Sequence, residues 1–212
     1  MLIEPRCALV LAPHTDDGEF GCGGTIARLA ERGSEVHYVA FSDCRESLPA
    51  GMAPDTLVKE VSAATAILGI PSERLHVLRF PVRQFTRDRQ EILEYLVRLS
   101  SEIDPDLVLL PSLDDLHQDH NTIALEGLRA YKRRTLLAYE IPWNNIQFRN
   151  QLFVPLEERH VEAKVRALAC YESQKDRYYA NEENVRAQLR MRGCQIAVRY
   201  AEVFEVVRAV AA

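Results

Sequence analysis

Long apolar runs, paired cysteines and an excess of positive charge are all missing from this chain, and each absence removes a class of function. No stretch approaches the ~18 consecutive apolar residues of a membrane-spanning helix, so no membrane partner is expected. Cys7, Cys22, Cys44, Cys170 and Cys194 form no Cys-x-x-Cys pair and leave one over. That pattern argues against a disulfide framework or a thiolate metal site, and for buried thiols in a reducing compartment. Acidic residues outnumber basic ones by 31 to 26, for a net charge of −5, the wrong balance for coating a phosphate backbone, so no nucleic-acid partner is expected. The short run Lys132-Arg133-Arg134 reads as a solvated helix end. The N-terminus has no basic region followed by a long apolar one, and a cytoplasmic protein is expected. Without a Gly, Ser or Pro linker, a low-complexity tract or a repeat, residues 1–212 read as one domain, with self-association left open.

What is present is a rhythm. Short apolar runs at 7–12, 36–41, 75–78, 107–110 and 135–139 are bounded by Pro, Asp, Ser or Arg, as strands buried on both faces are. Segments of helical period separate them. Thr25 to Glu31 ends at Gly33. A helix to Ile67, capped by Asp55, carries Val58, Val61, Ala64 and Leu68. Arg87 to Ile103 repeats Ile92, Leu93, Leu96 and Leu99 before Asp104-Pro105. The alternation implies an α/β fold: a Rossmann-like three-layer sandwich with a mostly parallel sheet. Beyond Ile141 the rhythm changes to an elaboration with a strand near Phe153, helices near 157–171 and 181–192, and a strand at 203–207.

Ligands of open parallel sheets bind at the carboxyl ends of the strands, and the chemistry-bearing residues follow those ends. After the first strand comes Pro13-His14-Thr15-Asp16-Asp17-Gly18-Glu19, then Gly21-Cys22-Gly23-Gly24 opening a helix. An imidazole and two carboxylates within four residues suit a metal that takes three protein ligands and keeps a position open. Alone, such a loop is more often a polar loop or a helix-capping cluster. The glycine spacing is not that of a dinucleotide fingerprint and points to close backbone packing. After the fourth strand comes Asp114-Asp115-Leu116-His117-Gln118-Asp119-His120, whose two histidines at i and i+3 can face one site.

The segment from Val10 to Asp43, with the later His117-x-Asp119-His120, resembles the PIG-L/LmbE-like family of zinc-dependent N-deacetylases. The family's first motif is His-Pro-Asp-Asp-Glu. Here Thr15 replaces Pro, Gly18 stands where the acid is usual, and Glu19 comes one position late. Lys164, Ala167, Tyr171, Ser173 and Gln174 also resemble the family, as do Arg192-Gly193 and Tyr200-Ala201-Glu202-x-Phe204, with packing their expected role.

The resemblance implies one Zn2+ held by His14, Asp17 and His120, Asp16 as general base, and His117 assisting the oxyanion or leaving group while Asp119 orients its ring. It further implies an N-acetylated amino sugar or sugar conjugate as substrate, with nucleotide-linked sugars included, and places Arg45 among the substrate contacts. Glu46, Trp143 and Asn144 are further candidates, from the loops after the second and fifth strands. Two rivals remain open at this point. A phosphoesterase would gather two metals, with Asp114 and Asp115 supplying the second site. A catalytically silent carbohydrate-binding protein would keep the fold alone.

Overall fold

The computed structural model describes residues 4–211. Seven strands form one sheet: β1 (Cys7–Ala12), β2 (Glu35–Ala40), β3 (Leu75–Val77), β4 (Leu107–Pro111), β5 (Thr135–Tyr139), β6 (Leu152–Leu156) and β7 (Tyr200–Arg208). Their spatial order is β3-β2-β1-β4-β5-β7-β6. β1 to β5 run parallel, and β7 pairs antiparallel with both β5 and β6.

Every residue of β1 and β4 is buried, which explains why these strands read as continuous apolar runs. Alternate residues of β1 feed opposite cores. Ala8, Val10 and Ala12 pack with α1 (Asp17–Glu31), α2 (Thr56–Ile67), α5 (Glu158–Leu168) and α6 (Glu182–Cys194). Cys7, Leu9 and Leu11 pack with α3 (Phe85–Glu102) and α4 (Gln118–Ala130). The result is the expected α/β sandwich of three layers.

Most of the cysteines are buried: Cys7, Cys22 and Cys44 are, Cys170 and Cys194 are not, and all five thiols are free. Two local expectations change. Asp55 precedes α2, but its side chain makes no cap bond and instead pairs with Lys59 at 2.8 Å. The first helix begins at Asp17 rather than Thr25, because a kink at Cys22 (φ −146°, ψ 22°) joins two helical pieces. A buried ion pair holds that kink. Glu202 on β7 accepts from the Gly24 and Thr25 amides at 2.9 and 2.6 Å, and Lys164 on α5 bonds Glu202 at 2.7 Å and the Phe20 carbonyl at 2.6 Å. Backbone groups that an unbroken helix would pair internally are thus satisfied from outside.

Glycine is required here by proximity. A Cβ at Gly21 would lie 2.2 Å from the Tyr139 ring, and one at Gly18 would lie 2.5 Å from that of Tyr38. The helix therefore packs directly on the sheet and brings its N-terminus to the end of β1.

Among the described residues, no helix is long and apolar enough to cross a membrane.

Candidate active site

The chain leaves β1 for β2 on one side and returns through β4 on the other, so the loops after β1 and β4 diverge and open a crevice between them. The N-termini of α1 and α4 converge there, and their partial positive charge favours carboxylates and developing negative charge. A cavity of about 290 Å3 occupies the crevice, with His14, Asp16, Asp17, His117 and His120 in its wall.

Three atoms in that wall form a near-equilateral triangle. His14 Nδ1 lies 3.1 Å from Asp17 Oδ2, His120 Nε2 lies 3.2 Å from the same oxygen, and the two nitrogens are 3.3 Å apart. Ligands on a tetrahedral zinc, with bonds of about 2.0–2.1 Å, sit roughly 3.3–3.4 Å from each other. The outer nitrogen of each ring faces a carboxylate, His14 Nε2 to Asp119 at 3.1 Å and His120 Nδ1 to Asp115 at 2.8 Å. Each ring therefore keeps its proton there and presents a lone pair inward once the inner proton is displaced.

The imidazoles of His14, His117 and His120 also cluster closely enough to hold an ion. His117, however, accepts the Asp119 backbone N–H through Nδ1 at 3.2 Å, so the neutral ring carries its proton on Nε2. A protonated nitrogen is no ligand, and Asp17 fits as the third donor where His117 does not.

Electrostatics agree with a cation-seeking centre. Burial, the largest influence, opposes charge on His14 and His120, but Asp17 together with Asp119 for His14 and with Asp115 for His120 outweighs it, and the rings are pushed up to about 9 and about 10. Asp17 is driven well below the carboxylate range by His120 and His14, against its burial. His117 goes the other way, to about 4, through burial and the neighbouring imidazoles, and is neutral. Asp16 precedes the first turn of α1 with no side-chain cap bond. Burial, then Asp17, raises it to about 6, with His14 opposing.

Several expected roles are reassigned. The Asp119 carboxylate orients His14, not His117, and also accepts the Arg83 and Phe85 amides. Asp115 is the residue that orients His120, and it accepts the His117 amide at 2.8 Å as well. A carboxylate so engaged is not free for a second metal, and Asp114 is exposed, so the two-metal arrangement is not formed. Glu19 does not take the place of the acid missing at 18. It is buried within hydrogen-bond distance of the Tyr38 and Tyr171 hydroxyls, each of which has one proton to share between Glu19 and the Thr15 carbonyl. The Tyr38 ring fills the space a side chain at 18 would need.

Arg45 is turned onto Asp43, and neither Arg45 nor Glu46 lines the cavity. Trp143 and Asn144 do, on a loop tied to the β4 loop by the Leu116 amide donating to the Asn144 carbonyl at 3.1 Å. Arg83, Gln174, Arg177 and Tyr179 complete the wall. Sequence reasoning missed the two arginines because they come from loops without a motif. Gln174 alone was marked, by its Tyr-x-Ser-Gln setting.

The family model for PIG-L, GlcNAc-PI de-N-acetylase, matches residues 9–131. The chain belongs to this family. It is 26% identical over 194 residues to diacetylchitobiose deacetylase of Thermococcus kodakarensis, covering 81% of this chain and 71% of that one. The conserved protein TT1542 of Thermus thermophilus superposes with a TM-score of 0.78 at 27% identity, over 100% of this chain and 97% of that one. GalB of Pseudomonas putida, a 4-carboxy-2-hydroxymuconate hydratase, shares the fold at a TM-score of 0.76 and 23% identity, over 97% and 98% of the two chains.

Proposed function

We propose that this protein is a zinc-dependent N-deacetylase that releases acetate and a free amine from an N-acetylated amino sugar or its conjugate. The triangle of His14 Nδ1, Asp17 Oδ2 and His120 Nε2 carries the reading, supported by the deacetylases of the family. Those three residues would hold the ion. When bound, zinc acidifies water and polarises the acyl oxygen.

The remaining chemistry belongs to side chains of the cavity wall. Asp16, with no side-chain cap bond and poised at about 6, takes the proton of the attacking water and returns it to the departing nitrogen as the C–N bond breaks. His117 presents Nε2–H as a neutral donor to the oxyanion. Trp143 offers a sugar an aromatic face, while Asn144, Arg83 and Arg177 offer donors for hydroxyls or an anionic substituent.

The GalB fold supports a second reading, in which the same water activation hydrates an alkene. Amine release decides. Zinc-loaded protein is offered a panel of N-acetylated sugars and sugar nucleotides, with bound metal counted in parallel. One zinc per chain with stoichiometric amine and acetate is the expected result. Silence across the panel with water added to an unsaturated acid would replace the reading.

A further inference from the structure

A second cavity, of about 420 Å3, lies against the first and shares Phe20, Trp143 and Tyr179 with it. These three rings form the partition. Trp143 and Tyr179 stack with centroids 3.9 Å apart and planes 14° off parallel, and Phe20 meets Trp143 edge-on at 5.2 Å. A molecule held in the catalytic cavity and extended over the rim of this wall enters the second one directly.

The chemistry of the second cavity differs from that of the first. Its charged floor is already neutralised. Glu140 is buried and accepts from Gln188 at 3.2 Å, from Arg192 Nε at 3.0 Å and from Arg192 Nη2. Such a closed pair has little left for a sugar, which needs unspent donors and acceptors. Beside Asn184, the largest groups left open are apolar. Tyr178 is 77% exposed and Met191 63% exposed, with Pro142 and Val185 beside them. Large apolar groups left in water at the mouth of a concave site gain by being covered.

The wall is also pre-formed rather than loose. The Tyr178 carbonyl accepts from the side chains of Asn181 and Asn184 at 2.7 and 2.8 Å, and the Ala180 amide donates to the Arg177 carbonyl at 2.9 Å. Trp143 is flanked by the Asn144 amide bonded to the Ile141 carbonyl and by Asn145 accepting the Ile141 amide at 2.8 Å.

We propose that this second cavity is a subsite for an aromatic or alkyl aglycone, so that the substrate is an amino sugar carrying an apolar group rather than a free sugar. The proposal builds on the deacetylase reading of the neighbouring cavity. It assigns the acetamido end to the metal-side cavity and the aglycone to Tyr178, Val185 and Met191 across the aromatic wall.

Trp143 is the only tryptophan in the chain, so its fluorescence reports on the wall without any need for turnover. The test compares the methyl and benzyl β-glycosides of N-acetylglucosamine by amine release and by Trp143 fluorescence titration. Wild type and Met191→Glu are measured side by side, with circular dichroism to confirm folding. The expected result is a kcat/KM at least roughly tenfold higher for the benzyl glycoside, tighter binding by fluorescence, and collapse of both preferences in Met191→Glu. Turnover of both glycosides with equal kcat/KM and equal fluorescence affinity overturns the subsite and leaves the deacetylase reading standing. Selective binding of the benzyl glycoside, lost in Met191→Glu, with no amine from either compound supports the subsite and removes the deacetylase reading. A preference that survives Met191→Glu unchanged also overturns the proposal.

Discussion

Two carboxylates next to each other in sequence have opposite fates here. Asp17 faces two imidazoles and is held ionised, whereas Asp16 has no side-chain cap bond and is raised by burial and by Asp17 itself. On the proposed function, this difference separates a ligand from a base within one dipeptide. Asp16→Asn should retain zinc, measured by metal analysis, and lose about 10²–10⁴-fold in kcat. Turnover near wild type would exclude Asp16 as the base. Asp115 reaches the centre through the His120 ring and the His117 backbone amide, and binds neither side chain of the Asp16-Asp17 pair. Asp115→Asn should weaken zinc affinity by about 10–100-fold in a competition titration with a chelator, with far less effect on the intrinsic rate of the loaded enzyme. The motif residues His14, Asp17, His117 and His120 could be named before the fold was known. Asp115 could not, because nothing in Leu113-Asp114-Asp115 says which acid turns inward. Arg45 failed as a substrate contact because Asp43, two residues earlier, captures it. A partner so near in sequence wins over a distant cavity.

The kinked α1 shows how an element serves the site. Its two pieces meet where Lys164 and Glu202 supply the missing backbone partners, so α5 and β7 help to position the start of α1 and the loop before it. Lys164→Met strands the Glu202 carboxylate in the core and should cost about 3–5 kcal/mol, read as a shift of the urea midpoint at unchanged slope. The double variant Lys164→Met with Glu202→Gln should recover part of that loss. These two residues were marked in the sequence only as a packing pattern, which is the part they play.

A second prediction belongs to the β2–β3 edge. His37 stacks on His76 at 6.3 Å, and burial, then Arg74 and His76, lower its pKa below 6.5. The folded protein thus holds the ring neutral while the unfolded chain protonates it first. The stability this contributes is present above pH 6.5 and is lost as the pH falls through the folded value. His37→Gln should make urea stability less steep than wild type below pH 6.5, with the two curves parallel above it.

For the molecule as a whole, the proposed ion would bridge the loop after β1 and the first turn of α4, two segments a hundred residues apart in the chain. Metal that binds only the folded state stabilises it by about 2.7 kcal/mol at a hundredfold excess over Kd. For a chain of this length that corresponds to roughly 5–10 °C in Tm. Chelation should lower the thermal midpoint by that order, and restoring zinc should recover it. A midpoint indifferent to chelator would show that the triangle holds no ion.

The mostly parallel sheet follows from the sequence through local rules: apolar runs buried on both faces must be covered by helices, and the alternation from β1 to β5 supplies the crossovers that parallel strands need. The antiparallel β7 wedged between β5 and β6 breaks that alternation, and only the tertiary structure decided it. The donor types were equally legible, because imidazole and carboxylate at the ends of parallel strands are the ligand set of an open metal site. Which nitrogen of each histidine faces inward was decided by Asp115 and Asp119, and which cations reach the cavity by the loops bearing Arg83 and Arg177. Chain order records what residues are near in sequence. Tautomer, protonation and cavity shape depend on neighbours brought from the loop after β4, from α4 and from the segment after α5, and exist only once those parts have packed.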